Sequence, residues 1–72
     1  MNTDYKVLSV QTIFTGKNVY VERVEYKDMD YDGNVYGPKK VYYTILTNDD
    51  DGLVDCTTKK TKALKIAKEF ET

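Results

Sequence analysis

Thr57 to Phe70 follows roughly fifty residues of strand-like sequence, and it reads as one short amphipathic helix. Ala63, Ile66, Ala67 and Phe70 recur at i, i+3, i+4 and i+7, which sets them on one face. Thr57 or Thr58 is placed to cap the helix through a side-chain oxygen. A chain with one such segment at its end and strands before it has few ways to bury that stripe. The helix must lie across one face of a sheet.

The strands follow from alternation and turn chemistry. Tyr5 to Phe14 is the first, with Leu8, Val10, Thr12 and Phe14 on one side. Thr15-Gly16-Lys17-Asn18 makes a hairpin turn. Val19 to Lys27 is the second strand; Val19 and Val21 fall on one face, and Tyr20, Val24 and Tyr26 on the other. A bulge, or burial of part of both faces, reconciles the two patterns. Asp28 to Lys40 reads as a polar connection in which Pro38 stops the local ladder, because it has no amide hydrogen to donate. Val41 to Thr47 is the third strand, and Asn48 to Gly52 a tight acidic turn. Leu53 to Cys56 pairs briefly as a fourth. The expected fold is α+β: a three- to four-stranded antiparallel meander with one C-terminal helix packed on one face, residues 1–72 forming a single domain. Ala63, Ile66, Ala67 and Phe70 are expected against Leu8, Val10, Phe14, Val41 or Val24, Ile45 and Leu53. The second face of the sheet must stay wet or meet a partner.

At 72 residues the chain is near the lower limit for folding alone. Cys56 has no second cysteine to bridge to and is expected to pack under the helix. A free thiol and no secretory signal point to a reducing, cytoplasmic setting. The start at Met1 suggests a whole small gene product. No apolar run reaches the ~18 residues that span a bilayer, so no membrane association is expected. The net charge of −1 argues against a dedicated nucleic-acid binder, whose basic footprint is larger.

The seven tyrosines stand out beside two phenylalanines and no tryptophan. Tyr20, Tyr26, Tyr31, Tyr36, Tyr42 and Tyr43 all fall mid-chain. Tyrosine pairs a large apolar ring with a hydroxyl that tolerates water, which suits both a solvated sheet face and a docking surface. Tyr42 and Tyr43 are adjacent in a strand, so one of them points away from the helix. The acids gather in two loops, Asp28, Asp30 and Asp32 in one and Asp49, Asp50 and Asp51 in the other. Asp28-Met-Asp30-Tyr-Asp32-Gly33 matches the opening of an EF-hand calcium loop, although Lys39 stands where the bidentate glutamate belongs. Calcium at Asp28, Asp30 and Asp32 is therefore an alternative, and no cofactor is otherwise implied. Lys59, Lys60, Lys62 and Lys65 on the helix form an alternative anion or nucleic-acid surface.

No catalytic machinery is legible. There is no histidine to act as a base near neutral pH, and Cys56 has no histidine partner. No phosphate-cradling glycine motif is present.

The run Thr57-Thr-Lys-Lys-Thr-Lys-Ala-Leu-Lys-Ile-Ala-Lys-Glu-Phe70 resembles the helix that ends the arm-type DNA-binding domain of phage and transposon integrases. That domain is also a three-stranded sheet followed by one helix, and the resemblance implies nucleic-acid binding. In size and in its tyrosine- and aspartate-rich composition, the chain also resembles small bacteriophage accessory proteins, the host-takeover and anti-defence inhibitors of the anti-CRISPR kind. That resemblance implies a non-enzymatic protein that binds and blocks a basic nucleic-acid enzyme or defence complex in the host cytoplasm. Tyr20, Tyr26, Tyr31, Tyr36 and Tyr42 would supply contact area, and the aspartates would steer. A second copy of the chain is a simpler partner, because a small core gains from company.

Overall fold

The C-terminal helix has ten residues while the three main strands have eleven to thirteen, and that mismatch sets the shape. A strand rises ~3.3 Å per residue and a helix ~1.5 Å, so the helix spans less than half the length of the sheet it lies on. The computed structural model describes residues 4–71. Its extents are 45 × 24 × 22 Å, long in the strand direction.

Four strands form one antiparallel sheet in chain order: β1 (Asp4–Thr15), β2 (Val19–Met29), β3 (Val35–Thr47) and β4 (Leu53–Thr57). The helix α1 (Lys60–Glu69) lies against β2, β3 and β4. The fold is α+β with one helix on an open meander, as the hydrophobic pattern requires. Among the described residues no helix is long and apolar enough to cross a membrane.

The core is confined to the end of the sheet under α1. Val19, Val21, Ile45, Ala63 and Ala67 form it, with Ile13, Phe14, Tyr43, Val54 and Ile66 packed around them. Two alanines at i and i+4 present almost no side chain to the strands, so the helix axis can approach the sheet closely. Phe70, expected in the stripe, is nearly half exposed. Beyond the helix the meander continues as a three-stranded ribbon.

Local irregularities move several residues away from their expected places. Register shifts between Val7 and Ser9 and between Thr12 and Phe14 break the alternation of β1. Phe14 reaches the core, whereas Leu8 and Val10 lie along the ribbon and are exposed. Val24 stands opposite both Val10 and Tyr42 and outside the cluster under the helix. A further shift between Ile45 and Leu46 turns Val54 inward and leaves Leu53 exposed, while Cys56, paired with Thr44 on the side away from the helix, is exposed as well. Cys56 therefore does not pack under the helix.

The connection expected over Asp28 to Lys40 is mostly strand. The loop proper is 30–34, where Asp30 Oδ1 accepts from the amides of Asp32 (3.0 Å) and Asn34 (2.9 Å). Gly33 takes φ +86 there, a conformation cheap only for glycine. Pro38 does not end the ladder. Pairing passes from Tyr26↔Lys40 to Asp28↔Tyr36, so β3 carries the surplus residues as a bulge around Gly37 and Pro38. This is tolerated because β4 pairs β3 only over Tyr43 to Leu46, and a proline is admissible where a strand forms an edge.

The helix start also differs from expectation. Lys59 is the capping residue, extended at φ −110 and ψ 122, and its side chain makes no capping bond. The Thr57 hydroxyl accepts from the Lys59 amide at 3.2 Å, upstream of the first turn.

At the other end the helix is fastened to the β1–β2 turn. The Glu71 carboxylate accepts from the amides of Lys17 (2.6 Å), Asn18 (2.7 Å) and Val19 (3.2 Å). The Asn18 amide side chain donates to the Phe70 carbonyl at 2.8 Å. These amides hold the Glu71 carboxyl below the usual carboxylate range.

Candidate protein-docking face

The two faces of the sheet differ in chemistry. Val19, Val21, Tyr43 and Ile45 point to the helix, so their neighbours in sequence point to the other side. Past the end of α1 the helix side turns polar: the Ser9 hydroxyl donates to Glu25 at 2.8 Å, and Arg23 pairs with Glu25 at 3.5 Å. The opposite side is where the apolar surface collects.

At its centre stands a tyrosine cluster drawn from three strands. The Tyr5 and Tyr26 rings meet edge to face with centroids 5.4 Å apart, and Tyr26 meets Tyr42 at 5.3 Å. That geometry sets the positive edge of one ring against the negative face of the next. Each pair is diagonal across a strand boundary, since Val7 faces Tyr26 and Lys40 faces Tyr26 in the ladder. Burial is the main reason the Tyr42 hydroxyl is harder to ionise than usual, with a hydrogen bond to Tyr5 adding to it. Thr44, Leu53 and Cys56 continue the surface into a shallow hollow beside the cluster. Val10, 52 % exposed, and Leu53, 63 % exposed, flank it with bare aliphatic area. Beneath them Val24 is only 5 % exposed, so this face has a small apolar layer of its own.

The other candidate tyrosines lie around the cluster. Tyr36 stands opposite Asp28 in the ladder and is half exposed. Tyr31 sits at the tip of the 30–34 loop, 84 % exposed. Tyr20 stands at the helix end of the sheet, where its hydroxyl donates to Asp51 at 2.8 Å. That bond, with lesser contributions from burial and from the charges of Asp51 and Glu22, pushes its pKa up to about 12. Tyr43 packs against the core.

The acidic residues do not gather in one place. Asp28, Asp30 and Asp32 belong to the distal end of β2 and its loop, whereas Asp49, Asp50 and Asp51 belong to the β3–β4 loop at the opposite end. Several have structural partners. Asp28 accepts from Lys40 at 2.8 Å, and the bond keeps the Lys40 ammonium charged to higher pH than usual. Asp30 braces its own loop. Asp50 accepts from the Thr47 hydroxyl and, at 3.0 Å, from the Gly52 amide, which hold its carboxyl below the usual range. Among the described residues no group of three His, Cys, Asp or Glu side chains converges as a metal would need. Asp28, Asp30 and Asp32 are thus spread along the strand end and loop instead of converging on one point.

Lys59, Lys60, Lys62 and Lys65 are all exposed. The first helical turn contains no acidic residue to offset them.

Tyr5, Val10, Leu53 and Cys56 are the members of this face that the sequence pattern did not single out. Tyr5 and Val7 share the alternation that leads to Tyr26, but the register shift after Val7 hides it. The chain matches no known protein family, no curated protein and no solved structure.

Proposed function

We propose that the chain is a non-enzymatic protein-binding module that docks through its open tyrosine face. The observation that carries this reading is the Tyr5–Tyr26–Tyr42 cluster on the side of the sheet away from the helix. Aromatic rings whose hydroxyls can remain hydrated are what interface centres favour. The partner is a protein with an apolar patch and basic groups on either side of it. Asp32 in one loop and Asp49 in the other lie at opposite ends of the sheet, suited to steering such a surface toward the rings between them. By its size and composition the module acts in the cytoplasm as a phage-type accessory protein. It inhibits a host nucleic-acid enzyme or defence complex by covering a working surface, with no reaction of its own.

The test is quantitative capture from host lysate by the wild-type chain, by Tyr5→Ser with Leu53→Ser, and by Asp32→Lys with Asp49→Lys. One specific protein should be retained by the wild type and lost by the first variant. The charge reversal should slow its association, more so at low salt. Equal recovery by all three variants would overturn the reading. The rival use of Lys59, Lys60, Lys62 and Lys65 on nucleic acid predicts instead a mobility shift that weakens steeply with salt and vanishes in lysine-to-glutamate variants.

A further inference from the structure

We infer that the free edge of β1 pairs with β1 of a second copy, antiparallel about a two-fold axis near Val10 and Gln11, to make a continuous eight-stranded sheet. The inference starts from how the edges of this sheet are guarded. An open edge is a row of unpaired backbone donors and acceptors, and proteins blunt it with short strands, charges, proline or bulges. β4 is only five residues long and carries Asp55. The part of β3 that β4 leaves unpaired carries Pro38, Lys39 and Lys40. β1 has twelve residues, no proline, and no charge from Val7 through Gly16. Among the described residues it pairs with β2 alone. Its two bulges leave Ser9 to Thr12 regular between them.

The occupant follows from symmetry and charge. An uncharged strand opposes itself without like-charge contacts, and a two-fold normal to the sheet keeps each face continuous. The same axis sets Asp4 of one chain within a position or two of Lys17 of the other, at both ends of the paired segment. The contact uses the strand edge and leaves the tyrosine rings uncovered, so it does not rest on the docking reading.

Sedimentation equilibrium of the full chain tests it, with far-UV circular dichroism to confirm that every variant is folded. The wild type should show twice the 8.3 kDa mass. Gln11→Glu sits beside Arg23 in its own ladder, which suits the fold, but brings carboxylates together across the two-fold. It should weaken association about fivefold. Mixing Gln11→Glu with Gln11→Lys should restore the dimer. Leu53→Lys, on the tyrosine face, should leave it intact. A monomeric wild type, or a dimer broken by Leu53→Lys and indifferent to Gln11→Glu, overturns the proposal.

Discussion

Glu71 shows how much one carboxylate can organise when it meets several backbone amides. Gly16 belongs to the same device: a Cβ there would lie 2.5 Å from the Glu71 carboxyl carbon. A side-chain end this close would usually move aside, but this one is pinned by the amides of the turn. Gly16→Ala and Glu71→Gln should therefore each lower the melting temperature, and the double variant should lose less than the sum, because both break one contact. The pH dependence has a definite sign. Hydrogen bonds from Asn18 and Lys17 favour the ionised Glu71 carboxyl in the folded chain, so the unfolded chain binds more protons as acid is added. The stabilisation is complete above the ordinary glutamate range, about pH 4.3, and is lost as the pH falls through the lower folded value. Glu25, held down chiefly by the Ser9 hydroxyl, and Asp50, held by Thr47, act in the same direction. Chemical denaturation across the acid range should show a shallower acid limb for Glu71→Gln than for the wild type.

At the scale of elements, the helix was legible because its stripe needs only a period. Its length mattered as much, since ten residues cover one end of strands about 40 Å long and expose the rest. The split of β2, with Val19 and Val21 on one side and Tyr20, Val24 and Tyr26 on the other, was also legible and decides which face is open. What could not be read was the set of bulges. A bulge is an agreement between two strands about how many residues face how many, and neither strand alone encodes it. Hence Leu8, Val10 and Leu53 were expected beneath the helix; Cys56 was expected there only as a small apolar residue, and its regular pairing with Thr44 sets it on the other side. Docking surfaces are harder still, because Tyr26 and Tyr42 meet Tyr5 only through the diagonal of a particular register. Energetics should follow the observed division. Ile45→Ala, fully buried under the helix, should cost ~2–5 kcal/mol by denaturant titration. Leu53→Ala on the open face should stay within ~0.5 kcal/mol. Comparable losses at both sites would mean that the open face is sealed in solution.

The whole molecule is a sheet held firmly at one end. Core, helix, Glu71 contact and β3–β4 loop all gather where β2 begins and β3 ends, and the distal ribbon rests on cross-strand pairs and the tyrosine cluster. Amide exchange should therefore be graded, with Val21 and Ile45 protected to the global limit and residues 30–34 opening well below it. Uniform protection along β2 would show that the ribbon is as firmly held as the core. The sequence separation of the Glu71 contacts carries a consequence of its own. They join residues 52 to 54 positions apart, whereas each hairpin of the meander joins near neighbours in the chain. During folding the local hairpins can zip before the distant contact that fastens them closes. Until that late closure, the valines and isoleucine meant for the core stand bare on a half-built sheet, which makes this interval the one most exposed to chaperones and proteases.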